Sequence, residues 1–177
     1  MDTSGKLASP QMEPIKVLAL AIQQEINIPD GNVMLGLENW KIPNDTGLYL
    51  SLIYGTEQVI ANNNYSAVDA NGNFQEVQSA VMLHAIDVDI MSFDSSARVQ
   101  KQAVLWALQS VNAQNLMEKY QMRIARMPQS FVPVETMEAT KQLNRFRLSV
   151  MVNAVHTNVK TAGFFDALQP IIPVTQP

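Results

Sequence analysis

SAVMLHAIDVDIMSFDSSARVQKQAVLWALQS, residues 79–110, reads as a β-strand that runs through a short polar break into a helix. Side chains on a strand alternate between faces, so Met82, His84, Ile86, Val88 and Ile90 share one side. Val81, Leu83, Ala85, Asp87, Asp89 and Met91 share the other. The first set is the better core face, because its β-branched members suit a pleated, covered surface. Asp94, Ser95 and Ser96 then offer the short oxygen side chains that accept from the free N–H groups of a first helical turn. Beyond them Ala97, Val104, Ala107, Leu108 and Val111 recur at helical spacing. A strand feeding a helix that folds back over it is the nucleus of an α+β domain.

Working outward, residues 1–12 are polar and aperiodic and are expected to form a disordered arm. Pro14 suits the first turn of a helix, and Ile15, Leu18, Ala19, Ile22 and Ile26 predict that helix over 14–26. Asn27 and the Pro-Asp-Gly-Asn run at 29–32 supply turn chemistry after it. Residues 33–40 have some strand character, 43–47 form a second turn, and 48–54 (LYLSLIY) alternate as a strand. A hairpin follows over 57–80, turning at Asn71-Gly72, where both central residues are expected at positive φ. Its tip is polar and carries no core residues, a composition that hangs free or docks on a partner. Residues 121–127 predict a short strand, and Pro128 and Pro133 bracket an extended link.

The stretch 143–155 (LNRFRLSVMVNAV) is the third clear strand, with Phe146, Leu148, Val150, Val152 and Ala154 on its core side. Arg145 and Arg147 occupy alternate positions opposite them, as do Asp87 and Asp89 on the earlier strand. Antiparallel pairing of the two strands would let these charges meet. The whole predicts a single α+β domain over 13–168. It would be a mainly antiparallel sheet covered by one or two main helices, with a projecting hairpin and a proline-punctuated tail at 169–177.

Charged residues are 16% of the chain, below the usual quarter or so, and the polar remainder suits surface that becomes buried on assembly. The charges are also segregated. Residues 57–96 hold six acidic residues and no Lys or Arg, while 97–160 hold nine basic residues against three acidic. Such blocks can pair inside a fold or drive head-to-tail association of identical subunits.

There is no cysteine, so disulfides and thiolate metal sites are excluded, and no apolar run approaches the roughly 20 residues of a membrane helix. The first residues are polar and do not read as a signal peptide. His84 reads as a core or interface histidine, and His156 as part of a polar turn after the last strand. Neither sits in a hydrolase or metalloprotease motif. Asp87 and Asp89 have the spacing of a cation pair, but no third ligand is evident and solvent or arginine pairing explains them more simply. Trp40 and Trp106 read as packing residues. No catalytic residue, cofactor or metal site is therefore expected.

The order of these features resembles the tail terminator (neck) proteins of long-tailed bacteriophages. The resemblance runs through residues 43–50 (PNDTGLYL), a turn leading into the first sheet strand, and then through a variable hairpin. It continues with Ile86-Asp87-Val88-Asp89 passing by Ser92-Phe93-Asp94 into an Ala-rich helix, then Asn144-Arg145-Phe146-Arg147-Leu148, and ends at Gly163-Phe164-Phe165-Asp166. It implies a structural, non-enzymatic virion protein, made in the host cytoplasm and placed at the head–tail junction. Self-association into a homohexameric ring is implied, with DNA passing through the lumen without specific binding; Asp69 and Glu76 are candidate acidic lumen residues. The ring would end polymerisation of the tail tube, and of the sheath where present, and would meet head–tail connector or stopper proteins, with no membrane contact. A head-completion, stopper or adaptor protein of the neck is the alternative within that class; a non-viral binding module is the alternative outside it. Candidate interface residues are Asn62, Asn63, Asn64, Tyr65, Asp69, Asn71 and Phe74 on the hairpin, with Arg123 and Arg126.

Overall fold

The computed structural model describes residues 12–36, 42–43, 45–134, 136–138 and 141–161. The expected N-terminal arm up to residue 11, Trp40, the Gly163–Asp166 motif and the tail at 169–177 lie outside these residues. Helix α1 spans Pro14–Ile26, α2 Ser96–Gln109 and α3 Val111–Lys119. The strands are β1 Val33–Leu35, β2 Tyr49–Val68, β3 Phe74–Ser92, β4 Met122–Arg126, β5 Val132–Pro133, β6 Thr136–Glu138 and β7 Lys141–Thr161. The sheet order is β1-β2-β3-β7-β4, with β5 and β6 also pairing along β7. Among the described strand pairs only β1 with β2 is parallel. The fold is α+β, a mostly antiparallel sheet with its helices on one face.

The core lies between that face and the helices. Leu50 and Leu52 of β2, Ile86, Val88 and Ile90 of β3, and Leu148, Val150 and Val152 of β7 are all buried there. They are cross-strand neighbours: Leu50 stands opposite Ile90, Leu52 opposite Val88, and Val88 opposite Leu148. Helix α1 also packs against α2 and α3. For that reason Val17 and Ala21 are buried beside the predicted stripe. Its first turn leaves N–H groups without intrahelical partners, and Ile15 donates one of them to the Tyr54 hydroxyl at 3.3 Å. At its other end Asn27 takes the left-handed conformation (φ 52°) that stops the helix.

The opposite face has a small cluster of its own, Tyr49, Met91 and Leu143 with Ile42 and Phe93. Tyr49 donates its hydroxyl proton to Asp45 at 2.7 Å, which ties the preceding turn to this face. Burial, followed by the Asp45 carboxylate, pushes the Tyr49 pKa up to about 12.

Several expectations need correction. β2 and β3 are each continuous, so the strand at 48–54 and the first hairpin arm are one element. The turn is not of the type with two positive φ values, since only Gly72 has one (85°). Asp69 accepts from the Gly72 and Asn73 backbone, and its own N–H donates to Asn73 O, which makes a three-residue loop with a left-handed glycine. Val111 does not continue the stripe of α2. The chain breaks at Ser110, whose hydroxyl accepts from Ala113 N–H at 3.0 Å and starts α3, leaving Val111 72% exposed. Trp106 is 63% exposed, on the outer side of α2, and is not a packing residue. At the strand–helix junction the capping oxygens belong to Asp94, which accepts from Ser96 N–H, and to Ser92, which accepts from Ala97 N–H.

This division between a packed body and an uncovered extension is measurable. Ile86→Ala should cost about 3 kcal/mol in urea unfolding, whereas Val59→Ala, at an exposed site on the extension, should cost less than about 0.5 kcal/mol. Equal losses at the two sites would contradict it.

Candidate functional site

The feature with no internal role in the core is the far half of the sheet. Past the helices, β2, β3 and β7 continue together as a three-stranded ribbon. Val68 still pairs with Phe74 at its tip, and Gln75 with Thr161. The hairpin predicted at 57–80 is thus joined by a third strand, which the sequence ended at residue 155. β1 accompanies β2 only along residues 50–52, and β4 reaches β7 only as far as Ala154. In the ribbon neither β2 nor β7 pairs with a further strand among the described residues. Residues 57–66 are exposed throughout. Val59, Ile60, Tyr65, Val68 and Phe74 stand about half in solvent, which is unusual for so many large apolar side chains in one element.

The predicted interface residues divide between two places. Asn62, Asn63, Asn64 and Tyr65 lie on β2 of the ribbon, Asp69 and Asn71 in its turn, and Phe74 at the start of β3. Asn71 N–H and Asn73 N–H both donate to Asp69 Oδ1, at 2.9 and 2.8 Å. These bonds, the Asn73 ones foremost, hold the Asp69 carboxyl below its ordinary range. Arg123 and Arg126 are exposed on β4, across β3 and β7 from β2, and the structure does not bring them to the hairpin. One side of the sheet therefore carries Glu57 and Asp69, and the other Arg123 and Arg126.

The predicted charge-pairing residues are brought together at the root of the body, on the face away from the helices. Asp89 stands opposite Arg147 in the register, and Asp87 opposite Ser149. Asp89 is 0% exposed. Arg147 donates a fork to it, Nε to Oδ1 at 2.8 Å and Nη2 to Oδ2 at 2.9 Å. Arg145 adds a further bond from Nη2 to Oδ2. Burial on its own would raise the Asp89 pKa; the Arg147 and Arg145 bonds and charges outweigh it and hold the carboxyl below its ordinary value. Asp87 accepts from Ser149 Oγ at 2.6 Å and lies 3.5 Å from Arg147 Nη1, so it takes the outer side of the same network. A carboxylate enclosed by two guanidinium groups in this way fixes β3 against β7.

No protein-family model matches the chain, and no curated protein matches it. No helix among the described residues is long and apolar enough to cross a membrane.

Asp89→Asn leaves two guanidinium groups facing a neutral amide. Both keep part of their surface in water, so the loss should fall near the low end for a broken buried pair, about 3 kcal/mol by urea unfolding. The folded pKa of Asp89 lies below its unfolded value of about 3.9. Its contribution is thus fully present well above that value and lost as pH falls through the folded one. Wild type should shed more stability than the variant between about pH 5 and pH 2. A loss below about 1 kcal/mol at neutral pH would make the pair no more than a surface one.

Proposed function

We propose that this chain is a structural subunit of the neck of a long-tailed bacteriophage: a tail terminator. In this role copies of it close into a ring, homohexameric in the resembling family, at the head-proximal end of the tail. The ring stops polymerisation of the tail tube, and of the sheath where present, and provides the surface on which the head connector or stopper docks. The role is mechanical, with no catalytic step and no cofactor.

The observation that carries this reading is the ribbon. Among the described residues three strands extend well beyond the helices and carry exposed apolar side chains, an arrangement suited to completion by another molecule. A ring needs heterologous contacts, in which one surface of a subunit meets a different surface of the next. The acidic side of the sheet at Glu57 and Asp69 and the basic side at Arg123 and Arg126 supply two such surfaces. An acidic ribbon tip facing a lumen would also let DNA pass, since it offers phosphate none of the attraction that basic surfaces do.

The register provides a clean test. Asn63 and Ser79 are direct partners, so residues 64–78 can be replaced by an Asn-Gly turn that closes the shortened strands. The variant should keep the circular dichroism of the body yet leave particles with overlong tails in a complementation assay. Tails of normal length would refute the terminator role, and full heads that leak DNA would indicate a stopper instead.

A further inference from the structure

At the base of the ribbon, where the helices end, Glu57, His84 and His156 meet on the core-side face of the sheet. His156 lies within β7, not in a turn after it. His84 is almost wholly buried; its Nδ1 lies 2.8 Å from Glu57 Oε1 and its Nε2 lies 3.1 Å from His156 Nε2. The contact with Glu57 depends on a bulge. Tyr54 pairs with Ile86, but the next partner of β3, His84, meets Glu57, so β2 spends three residues where β3 spends two. Without the extra residue Thr56 would stand opposite His84, and Glu57 would point to the other face. The two histidines are separated in the register by the row of Met82 and Ala154, and the small Ala154 leaves their rings space to meet.

A carboxylate only accepts, so His84 donates its Nδ1–H to Glu57, and the neutral ring then has a bare Nε2. That nitrogen lies 3.1 Å from His156 Nε2, so in the metal-free chain His156 donates its Nε2–H to it. We propose that a divalent cation of the class imidazole favours (Zn²⁺, Ni²⁺ or Cu²⁺) displaces this proton and is held by His84 and His156, with Glu57 as the carboxylate that orients the first ring. At metal–nitrogen distances of about 2.0–2.1 Å, two histidine nitrogens on a tetrahedral ion stand roughly 3.3 Å apart, close to the spacing already present. A carboxylate on the far nitrogen of a ligating histidine is the usual outer support of such sites.

His156 also lines an open cleft of about 300 Å³ with Asn62, Gln78, Ser79 and Asn158 at its wall. The cleft gives the ion a path in and leaves water or side-chain amide oxygens to complete its shell. Among the described residues no cluster of three or more His, Asp or Glu that could hold a metal exists, so His84 and His156 would be the two protein ligands of the ion. An ion there would tie β3 to β7 directly, and to β2 through Glu57, at the point where the ribbon leaves the body.

The test uses the full chain without a histidine tag, stripped with EDTA and titrated with ZnCl₂ by calorimetry. Saturable binding of one ion per chain is expected. His156→Asn, at a partly exposed ring, should abolish it, and Glu57→Gln should weaken it about 10–100-fold, both with unchanged circular dichroism. In the wild-type chain the Nε2 resonances of both histidines should shift on adding Zn²⁺, a readout that needs no variant to fold. No binding at millimolar Zn²⁺, undiminished binding by a folded His156→Asn variant, or unmoved histidine resonances would leave a shared proton as the only bridge and overturn the proposal.

Discussion

One hydrogen-bonded ladder determines the shape of this molecule. β3 is bonded to β2 on one side and β7 on the other along almost its whole length. Its 19 residues span roughly 60 Å at the usual rise of a strand. The helices cover only the part of that ladder where Leu52, Val88 and Leu148 line up. The rest is held in place by continuity with the covered part, because three strands in register extend what a two-stranded hairpin alone could not sustain. Body and ribbon are thus one sheet under two solvent regimes.

Two local devices make the shared sheet workable. Near its root the face away from the helices buries Asp89, an expensive arrangement for an unpaired carboxylate. The fork from Arg147 and the bond from Arg145 offset that cost and lock the register of β3 on β7. Farther out, β2 carries two register irregularities, after Tyr54 and after Val59. Each exchanges the face to which its side chains point, and such bulges increase twist and disrupt an edge. The first of them places Glu57 on His84, while its neighbours on β2 stay exposed.

Much of the body was legible in the sequence because its signals are local. The alternation of Ile86, Val88 and Ile90 marks the core face, Pro14 with the apolar stripe marks α1, and the alternate Asp and Arg pairs mark two strands that meet. The ribbon was only partly legible. Its polar β2 arm, with Asn62, Asn63 and Asn64, carries no hydrophobic period, and β7 beyond Val155 becomes too polar to be read as a strand. Backbone pairing, not side-chain burial, keeps both extended. The contact between His84 and His156 joins residues 72 apart and depends on strand pairing and ring orientation, so no spacing rule in a single sequence could find it. Val111 and Trp106 misled for the opposite reason. Their apolar character fits a buried stripe, but the break at Ser110 and the orientation of α2 leave both outside.

The ribbon's exposed apolar side chains cost solubility and invite association, and the proposed assembly role rests on them. The most direct measurement is amide hydrogen exchange along β2, β3 and β7, in the isolated subunit and in the assembled particle. In the isolated subunit, amides of residues 48–54 and 145–152 should be strongly protected and those of 57–68 and 156–161 should exchange much faster, with the second set becoming comparably protected only on assembly. Equal protection of body and ribbon in the isolated subunit, or a ribbon that stays unprotected in the particle, would contradict a sheet completed by its partners.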